Sequence, residues 1–319
     1  NVDPARVVIM PGGKPTMHYT ISFFGEPGAE IIYPDPGFPI YESMINYTGA
    51  KAIPFNLIEN KDFSINPDKI LSLINEKTRL LILNNPHNPT GSFTEKNVID
   101  KLAKGLINFP HVAILSDEIY DRLIFDKKEI PTLFNYPDLY NRLIILNGWS
   151  KTYAMTGWRL GAAIGPEILM EIFAKLSVND ESCTNHFIQY GGIEALIGSQ
   201  DGVFDILKEL MRRRDALATK LNEIEGISLF IPNSTFYLFP DITKLYHSMN
   251  AHSYEDFRTR VLRGTGVSFC TREHFGTPIG VENRKYIRFA YSGIPVDEIE
   301  EGMDKLKHYC EEFNAAELA

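Results

Sequence analysis

Lys151 and Arg159 are the residues whose setting in this chain most plainly promises covalent chemistry. They belong to the stretch 143–161, in which the apolar run 143–146 reads as a buried strand and a small-residue turn leads into Lys151. A lysine at the mouth of a buried strand is poorly hydrated, so its pKa falls and its free amine becomes a nucleophile able to form a Schiff base with a carbonyl. Arg159, eight positions on, offers the bidentate fork that suits a phosphate. A Ser-Lys pair by itself is more often a solvated loop. The reading therefore depends on what else the chain supplies.

Five further places carry matching chemistry. Asp117 follows the strand-like run 112–115, and Tyr120 lies within reach of the same pocket if the chain turns there. A carboxylate buried beside a pyridine nitrogen keeps that nitrogen protonated, because each charge favours the other. The protonated ring then serves as an electron sink for a carbanion. Asn88, in Asn85-Pro86-His87-Asn88-Pro89-Thr90-Gly91, is a side-chain amide held between proline turns. With the Tyr120 hydroxyl it suits a ring phenolate oxygen, although Asn before Pro is usually a plain Asx turn. Phe38, after Pro36-Gly37, is placed to stack on a planar ring, and most such aromatics are core. Gly12-Gly13-Lys14 lies between a strand and a helix, where a helix N-terminus binds phosphate. Arg288, in Tyr286-Ile287-Arg288-Phe289, offers a strand-borne fork to a carboxylate, with a structural salt bridge as the commoner fate.

The elements that must position these residues alternate. Strand-like runs at 7–10, 30–33, 51–55, 79–83, 112–115 and 143–146 are separated by helical stretches at 16–24, 39–47, 67–74 and 95–106, the third capped by Asn66. That alternation predicts an α/β fold with a mostly parallel sheet covered on both faces, and polar groups at strand ends gather in one crevice. A long amphipathic helix at 203–224 carries Arg212-Arg213-Arg214, a charge run best read as a solvated face. Strand candidates at 228–231, 235–239, 266–270 and 286–290, with helices at 254–263 and 296–311, predict a smaller α/β domain. The expected division is 1–215 for the large domain and 216–319 for the small one.

Composition narrows the function. The chain has 319 residues, 44% of them hydrophobic, and a formal net charge of −9. An acidic chain argues against a nucleic-acid surface, and no apolar run approaches the ~20 residues needed to span a bilayer. Cys183, Cys270 and Cys310 are widely spaced and contain no CxxC pair. They read as free thiols in a reducing compartment, hence a cytoplasmic protein with no metal site. The strand-like start at Val7 suggests that the sequence begins partway through a longer one.

From Val7 to the C-terminal helix the chain resembles the class I/II aminotransferases of fold type I, the aspartate aminotransferase superfamily. The motifs that carry the resemblance are 85–91, 117–120 and 150–161. The resemblance implies a three-layer αβα fold and the cofactor pyridoxal 5'-phosphate (PLP). It implies that Lys151 is the Schiff-base lysine, that Asp117 pairs with the pyridine nitrogen, and that Asn88 and Tyr120 contact the ring hydroxyl oxygen. Phe38 then stacks on the ring, Gly12, Gly13, Lys14, Ser150 and Arg159 surround the phosphate, and Arg288 clamps the substrate α-carboxylate. The implied reaction is a ping-pong transamination between an amino acid and a 2-oxo acid, with Lys151 also moving the α-proton.

Three departures stand out. Gly148 occupies a position where many relatives have a phosphate-binding serine. Ser-Phe-Cys-Thr-Arg-Glu-His-Phe-Gly at 268–276 replaces a Pro-Gly loop and brings Cys270 near the substrate side. The family's N-terminal segment, which covers the pocket, is absent from this sequence. Gly12-Gly13-Lys14 resembles the aspartate/prephenate subgroup, where a lysine helps hold acidic substrates, so aspartate or glutamate with 2-oxoglutarate is the expected pairing. Residues 182–186 match a loop that relatives send into a neighbour's active site, implying a homodimer with shared sites. The same scaffold also serves C–S lyases, aminocyclopropane-carboxylate synthases and PLP-sensing domains of transcriptional regulators. Formation of a keto acid from 2-oxoglutarate and an amino acid separates the transaminase from the lyase and synthase.

Overall fold

A computed structural model describes residues 2–126, 129–278 and 280–317. Its main sheet has seven strands: β1 (Val7–Met10), β2 (Glu30–Asp35), β3 (Lys51–Asn56), β4 (Thr78–Asn84), β5 (Ala113–Asp117), β6 (Leu143–Gly148) and β7 (Gly161–Ile164). They lie in the order β1-β7-β6-β5-β4-β2-β3. The run from β3 to β6 is parallel, and β7 is antiparallel to both its neighbours. Strand residues alternate between two cores, as a period of two demands. Ile31, Leu80, Leu115 and Ile144 join one, while Ile32, Leu81, Ile114 and Ile145 join the other. Burial on both faces is why these strands read as continuous apolar runs in the sequence.

The helices of this part are α1 (Lys14–Phe24), α2 (Ile40–Thr48), α3 (Pro67–Leu73), α4 (Lys96–Leu106), α5 (Trp149–Thr152), α6 (Glu167–Asp180) and α7 (His186–Ile197). In α4 the buried residues are Ile99, Leu102, Ala103 and Leu106, the spacing of one helical face. Asn66 caps α3 as expected, its Oδ1 accepting from the Lys69 N–H at 3.2 Å. The helix expected at 16–24 begins earlier, at Lys14, because Gly13 is its N-cap and Pro15 fits the first turn. Likewise β2 continues through Asp35, two residues beyond the expected strand.

A three-stranded sheet, ordered β8-β10-β9, follows the long helix α8 (Asp201–Asn222). Its strands are β8 (Tyr237–Leu238), β9 (Cys270–Thr271) and β10 (Ile287–Ala290), supported by α9 (Thr243–Ser248), α10 (Tyr254–Thr265) and α11 (Val296–Glu317). The strand expected at 228–231 does not form. Only Ser228 bridges, exchanging backbone hydrogen bonds of 2.9 Å with Asp241 in both directions. Pro232, which has no N–H to donate, stands immediately after that segment. The strand expected at 266–270 is reduced to Cys270–Thr271. The expected boundary at 215/216 falls inside α8, whose Leu217 and Leu221 join the same core as Ile31 and Leu80.

The carboxyl ends of β2, β4, β5 and β6 share one edge of the main sheet. There Asn84 pairs in register with Asp117, and Asp117 with Leu146. A crevice at such an edge is where open α/β sheets place their ligands.

Candidate active site

A cavity of about 490 Å³ opens at that edge. Gly13, Lys14, Phe38, Asn88, Asp117, Tyr120, Ser150, Lys151, Arg159 and Arg288, all expected from the sequence, line it. Gly12 does not. It sits behind the wall at φ +97°, and a Cβ there would overlap the Arg159 guanidinium. Gly12 is therefore the gap through which Arg159 reaches its position.

Asp117 is 2% exposed. Tyr41 Oη donates to its Oδ2 at 2.5 Å, and the Ile119 N–H donates to Oδ1 at 3.2 Å. Burial nevertheless pushes its carboxyl up to about 6, against the pull of those two donors and of Lys151. A positive charge placed against it would bring the value back down. Asn84, at the end of β4, holds the loop in place: its Nδ2 donates to the Asp117 carbonyl at 3.1 Å, and its Oδ1 accepts from the Asn88 N–H at 2.9 Å. Tyr120 and Tyr237 share a hydroxyl–hydroxyl bond of 2.8 Å.

Lys151 sits in the one-turn helix α5, directly after β6. Its pKa is lowered, first by burial and then by the charges of Arg159 and Arg288, with Asp117 opposing. Its ammonium makes no hydrogen bond among the described residues. It faces the Phe236 ring at 5.7 Å.

Arg288 projects from β10. Nη1 donates to Asn88 Oδ1 at 2.9 Å, and Nη2 points at Cys270 Sγ, 3.7 Å away. Cys270 is its direct cross-strand partner, so the two side chains share a face. The guanidinium lies between the Tyr237 and Phe275 rings, at 4.5 and 4.6 Å from their centroids. Its Nε is buried without a partner. Arg159 is more exposed. It bonds the carbonyls of Thr156 (2.9 Å) and Pro11 (3.3 Å) beside the N-terminus of α1.

Gly148 has a steric explanation. A Cβ there would lie 3.0 Å from the Gly161 Cα and 3.1 Å from the Leu160 carbonyl. Gly161 is in turn pressed on Gly12, since a Cβ on it would come within 2.5 Å of the Gly12 carbonyl carbon. Three glycines thus let β6, β7 and the start of α1 approach closely, and a serine at 148 has little room. Ser150, 6% exposed, and Thr156 supply hydroxyls on this side of the cavity.

A family model described as aminotransferase class I and II matches residues 1–306. The chain belongs to that family. The enzyme is 32% identical over 315 residues to an aspartate aminotransferase of Sulfurisphaera tokodaii, covering 98% of this chain and 76% of that one. It superposes on an aspartate aminotransferase from Rhizobium meliloti with a TM-score of 0.89 at 26% identity, over 97% of this chain and 77% of that one. An aromatic aminotransferase from Pyrococcus horikoshii gives 0.88 at 28% identity, over 98% and 81%. The chain is a PLP-dependent aminotransferase acting on amino acids and 2-oxo acids.

The cavity fits that cofactor. Four basic side chains (Lys14, Lys151, Arg159 and Arg288) face a single carboxylate, in a protein of net charge −9. Such a cavity takes up anions, and its one acid is buried in want of a cation. Asn84, Thr156, Tyr41 and Tyr237 escaped the sequence reading. Tyr41 follows Phe38 by three positions, on the next turn of chain; a buried tyrosine needs a partner for its hydroxyl, and that was the available signal. Tyr237 lay within a predicted strand, but nothing local tied it to Tyr120. Among the described residues no helix is long and apolar enough to cross a membrane.

Proposed function

We propose that Lys151 holds the cofactor as a Schiff base, with Asp117 against the pyridine nitrogen and Asn88 and Tyr120 at the ring hydroxyl. In this reading Phe38 lies against the ring face, while Gly13, Lys14, Ser150 and Arg159 hold the phosphate. When bound, the cofactor supplies an electron sink for the pair left on the substrate α-carbon. The observation that carries the reading is the placement of Lys151: an amine with lowered pKa and no hydrogen bond, between a buried acid and an array of cations. With its amine free, Lys151 would be the base placed to take the substrate's α-proton, an effect of about 10²–10⁴-fold for a positioned base. Arg288, preset by Asn88 and two rings, receives the α-carboxylate. Lys14, an exposed cation of the cavity lining, either flanks that phosphate or holds an acidic substrate side chain; on the second role the proposed pairing is aspartate or glutamate with 2-oxoglutarate.

The proposed assembly is a homodimer with shared sites. On α7, Phe187, Tyr190, Ile193, Leu196 and Ile197 are all more than half exposed. The opposite side of α7 packs on the lysine-bearing turn, with Trp149 Nε1 donating to the Gly192 carbonyl at 2.9 Å. A second copy on the apolar face would adjoin the site, next to the loop at 182–186. A large exposed apolar patch of this kind marks an interaction surface. The proposed location is the cytoplasm, in keeping with three free cysteines. The division near residue 215 completes the reading, with the cofactor side assigned to the large unit.

The test is the visible spectrum of the PLP-loaded protein mixed with single amino acids. Donors are expected to shift the lysine-bound cofactor band to that of the amino form, aspartate and glutamate most readily. Reversal by 2-oxoglutarate completes the cycle. If no amino acid moves the band, the proposed roles fail.

A further inference from the structure

Arg272 is 1% exposed, the largest of the fully buried side chains. It begins the short 3-10 turn Arg272–Phe275 after β9, inside the segment that departs from the family's Pro-Gly pattern. Arginine is seldom buried to this degree unless its donors are paired. Here they are paired from two segments of the chain, Asp35 at the end of β2 and residues that follow Arg272 itself. Nη2 donates to Asp35 Oδ2 at 2.6 Å and to Glu282 Oε1 at 2.8 Å, and Nε donates to Glu282 Oε1 at 3.0 Å. Nη1 reaches the carbonyls of Phe275 and Gly276 at 3.4 and 3.3 Å.

Asp35 ends β2 of the main sheet, three residues before Phe38. The two segments are also joined through the backbone. The Gly37 N–H donates to the Phe275 carbonyl at 2.8 Å, and the Thr277 N–H donates to Glu42 Oε2 at 3.0 Å. A Cβ on Gly276 would overlap Asp35 Oδ1, so the contact is close enough to need glycine. On its other side the same turn presents Phe275 to the Arg288 guanidinium. Because Arg288 Nε has no partner, its orientation rests on Asn88, Cys270 and the two rings.

We propose that Arg272 is a positioning residue: paired with Asp35 and Glu282, it fixes the turn 272–277 against the Phe38 segment and so holds Phe275 on Arg288, presetting that guanidinium for the substrate carboxylate. The inference rests on the reading of Arg288 as the carboxylate clamp. It adds a dependence on pH. Burial pushes the Asp35 carboxyl up to about 6 despite Arg272, with Glu282 and Glu42 pushing the same way. Tyr33, which faces Asp35 and Glu42, is itself raised by burial and stays neutral. The other carboxylate oxygen of Asp35, Oδ1, is buried without a hydrogen bond. Protonation below that value removes the charge facing Arg272, loosens the turn and weakens substrate binding.

The test compares steady-state kinetics of the holoenzyme and of Asp35→Asn, Arg272→Lys and Glu282→Gln, with L-aspartate and L-alanine as donors, between pH 5 and 8. Asp35→Asn keeps the shape and removes the charge. It is expected to raise KM roughly tenfold, to change kcat less than about threefold, and to leave the cofactor band and cofactor retention intact. The wild type's rise in KM below pH 6 is expected to vanish in this variant. Glu282→Gln, at a partly exposed partner, gives a smaller rise and stands in if Arg272→Lys fails to fold. Unchanged KM in Asp35→Asn overturns the proposal. So does a parallel loss of kcat, cofactor retention and KM, which marks a general packing role. Arg288→Leu separates the two levels. If it leaves KM unchanged, the clamp reading fails first; if it raises KM while Asp35→Asn does not, only the positioning role falls.

Discussion

Asp117 and Arg288 face the same cavity from supports of unequal size. Asp117 ends a strand with parallel neighbours on both sides, covered on both faces, and its carboxylate is fixed by a tyrosine hydroxyl and a backbone N–H. Arg288 comes from a four-residue strand flanked by two strands of two residues each. Its guanidinium is aimed by ring faces, one amide oxygen and a sulfur. A large sheet can hold a group that must not move relative to a cofactor. A small one, tied across by Arg272, suits a group that must yield to incoming substrate. Damage on the first side should therefore appear in the cofactor's spectrum and in kcat. On the second side it should appear in KM.

The largest effect is expected at Lys151. Lys151→Ala removes the proposed covalent anchor and base, so transamination should fall by on the order of 10⁴-fold or more and the lysine-bound absorbance band should disappear. A surviving band would break the cofactor side of the comparison outright. Asp117→Asn comes next. It keeps the volume and loses the charge proposed to hold the ring nitrogen protonated, and kcat should drop by roughly 10²–10³-fold, the scale of losing one preorganised charge interaction. Arg288→Leu should act on the other side, costing roughly 2–5 kcal/mol of binding to the carboxylate, seen as a large rise in KM with an unaltered cofactor band. If Arg288→Leu shifted the band, the two sides would not be separable.

The same contrast explains what the sequence made legible. Strand-end residues of the main sheet announce themselves, because a doubly buried parallel strand is a continuous apolar run and a polar residue after it has one place to go. Asp117, Lys151 and the Asn88 loop were visible for that reason. Their second partners were not. Tyr41 meets Asp117 across 76 positions of chain, and Tyr237 meets Tyr120 across 117, separations no local pattern encodes. On the substrate side even the strands were misjudged at 228–231 and 266–270, since two-residue strands carry no periodicity to read. Arg288 was found through a motif; its clasp of Phe275, Cys270 and Arg272 is purely tertiary.

Tyr41→Phe should have an effect of intermediate size. It removes one hydrogen bond to an ionised carboxyl, worth about 1.5–3 kcal/mol, and leaves the fold unburdened by a new polar group. Asp117 then holds its proton to a higher pH, and its grip on the ring nitrogen weakens. The expected outcome is a pH titration of the cofactor band displaced by about one unit, with kcat reduced by roughly tenfold and KM little changed. An unchanged titration would mean that the Ile119 N–H suffices to hold the Asp117 carboxylate.

The smallest effect tests the rigid side for what its buried acids cost. Glu118, 6% exposed, follows Asp117; its Oε1 accepts from Ser116 Oγ and Thr132 Oγ1, both at 2.8 Å. Burial is the main cause raising its carboxyl to about 7, with Asp121 and Asp117 adding to it against those two hydroxyls. A carboxyl with a raised folded value binds its proton more tightly folded than unfolded. Its contribution to stability is greatest at low pH and is lost as pH climbs from the unfolded value, about 4.5, through about 7. Glu118→Gln keeps the acceptor for both hydroxyls and carries no charge. The variant should match the wild type in urea unfolding near pH 4.5 and exceed it by roughly 1–3 kcal/mol at pH 8. KM should stay unchanged, because Glu118 touches neither the cavity nor the arginine clasp. Equal stability at both pH values would mean that Glu118 is ionised in the fold at no cost, and that the hydroxyls of Ser116 and Thr132 suffice to solvate it.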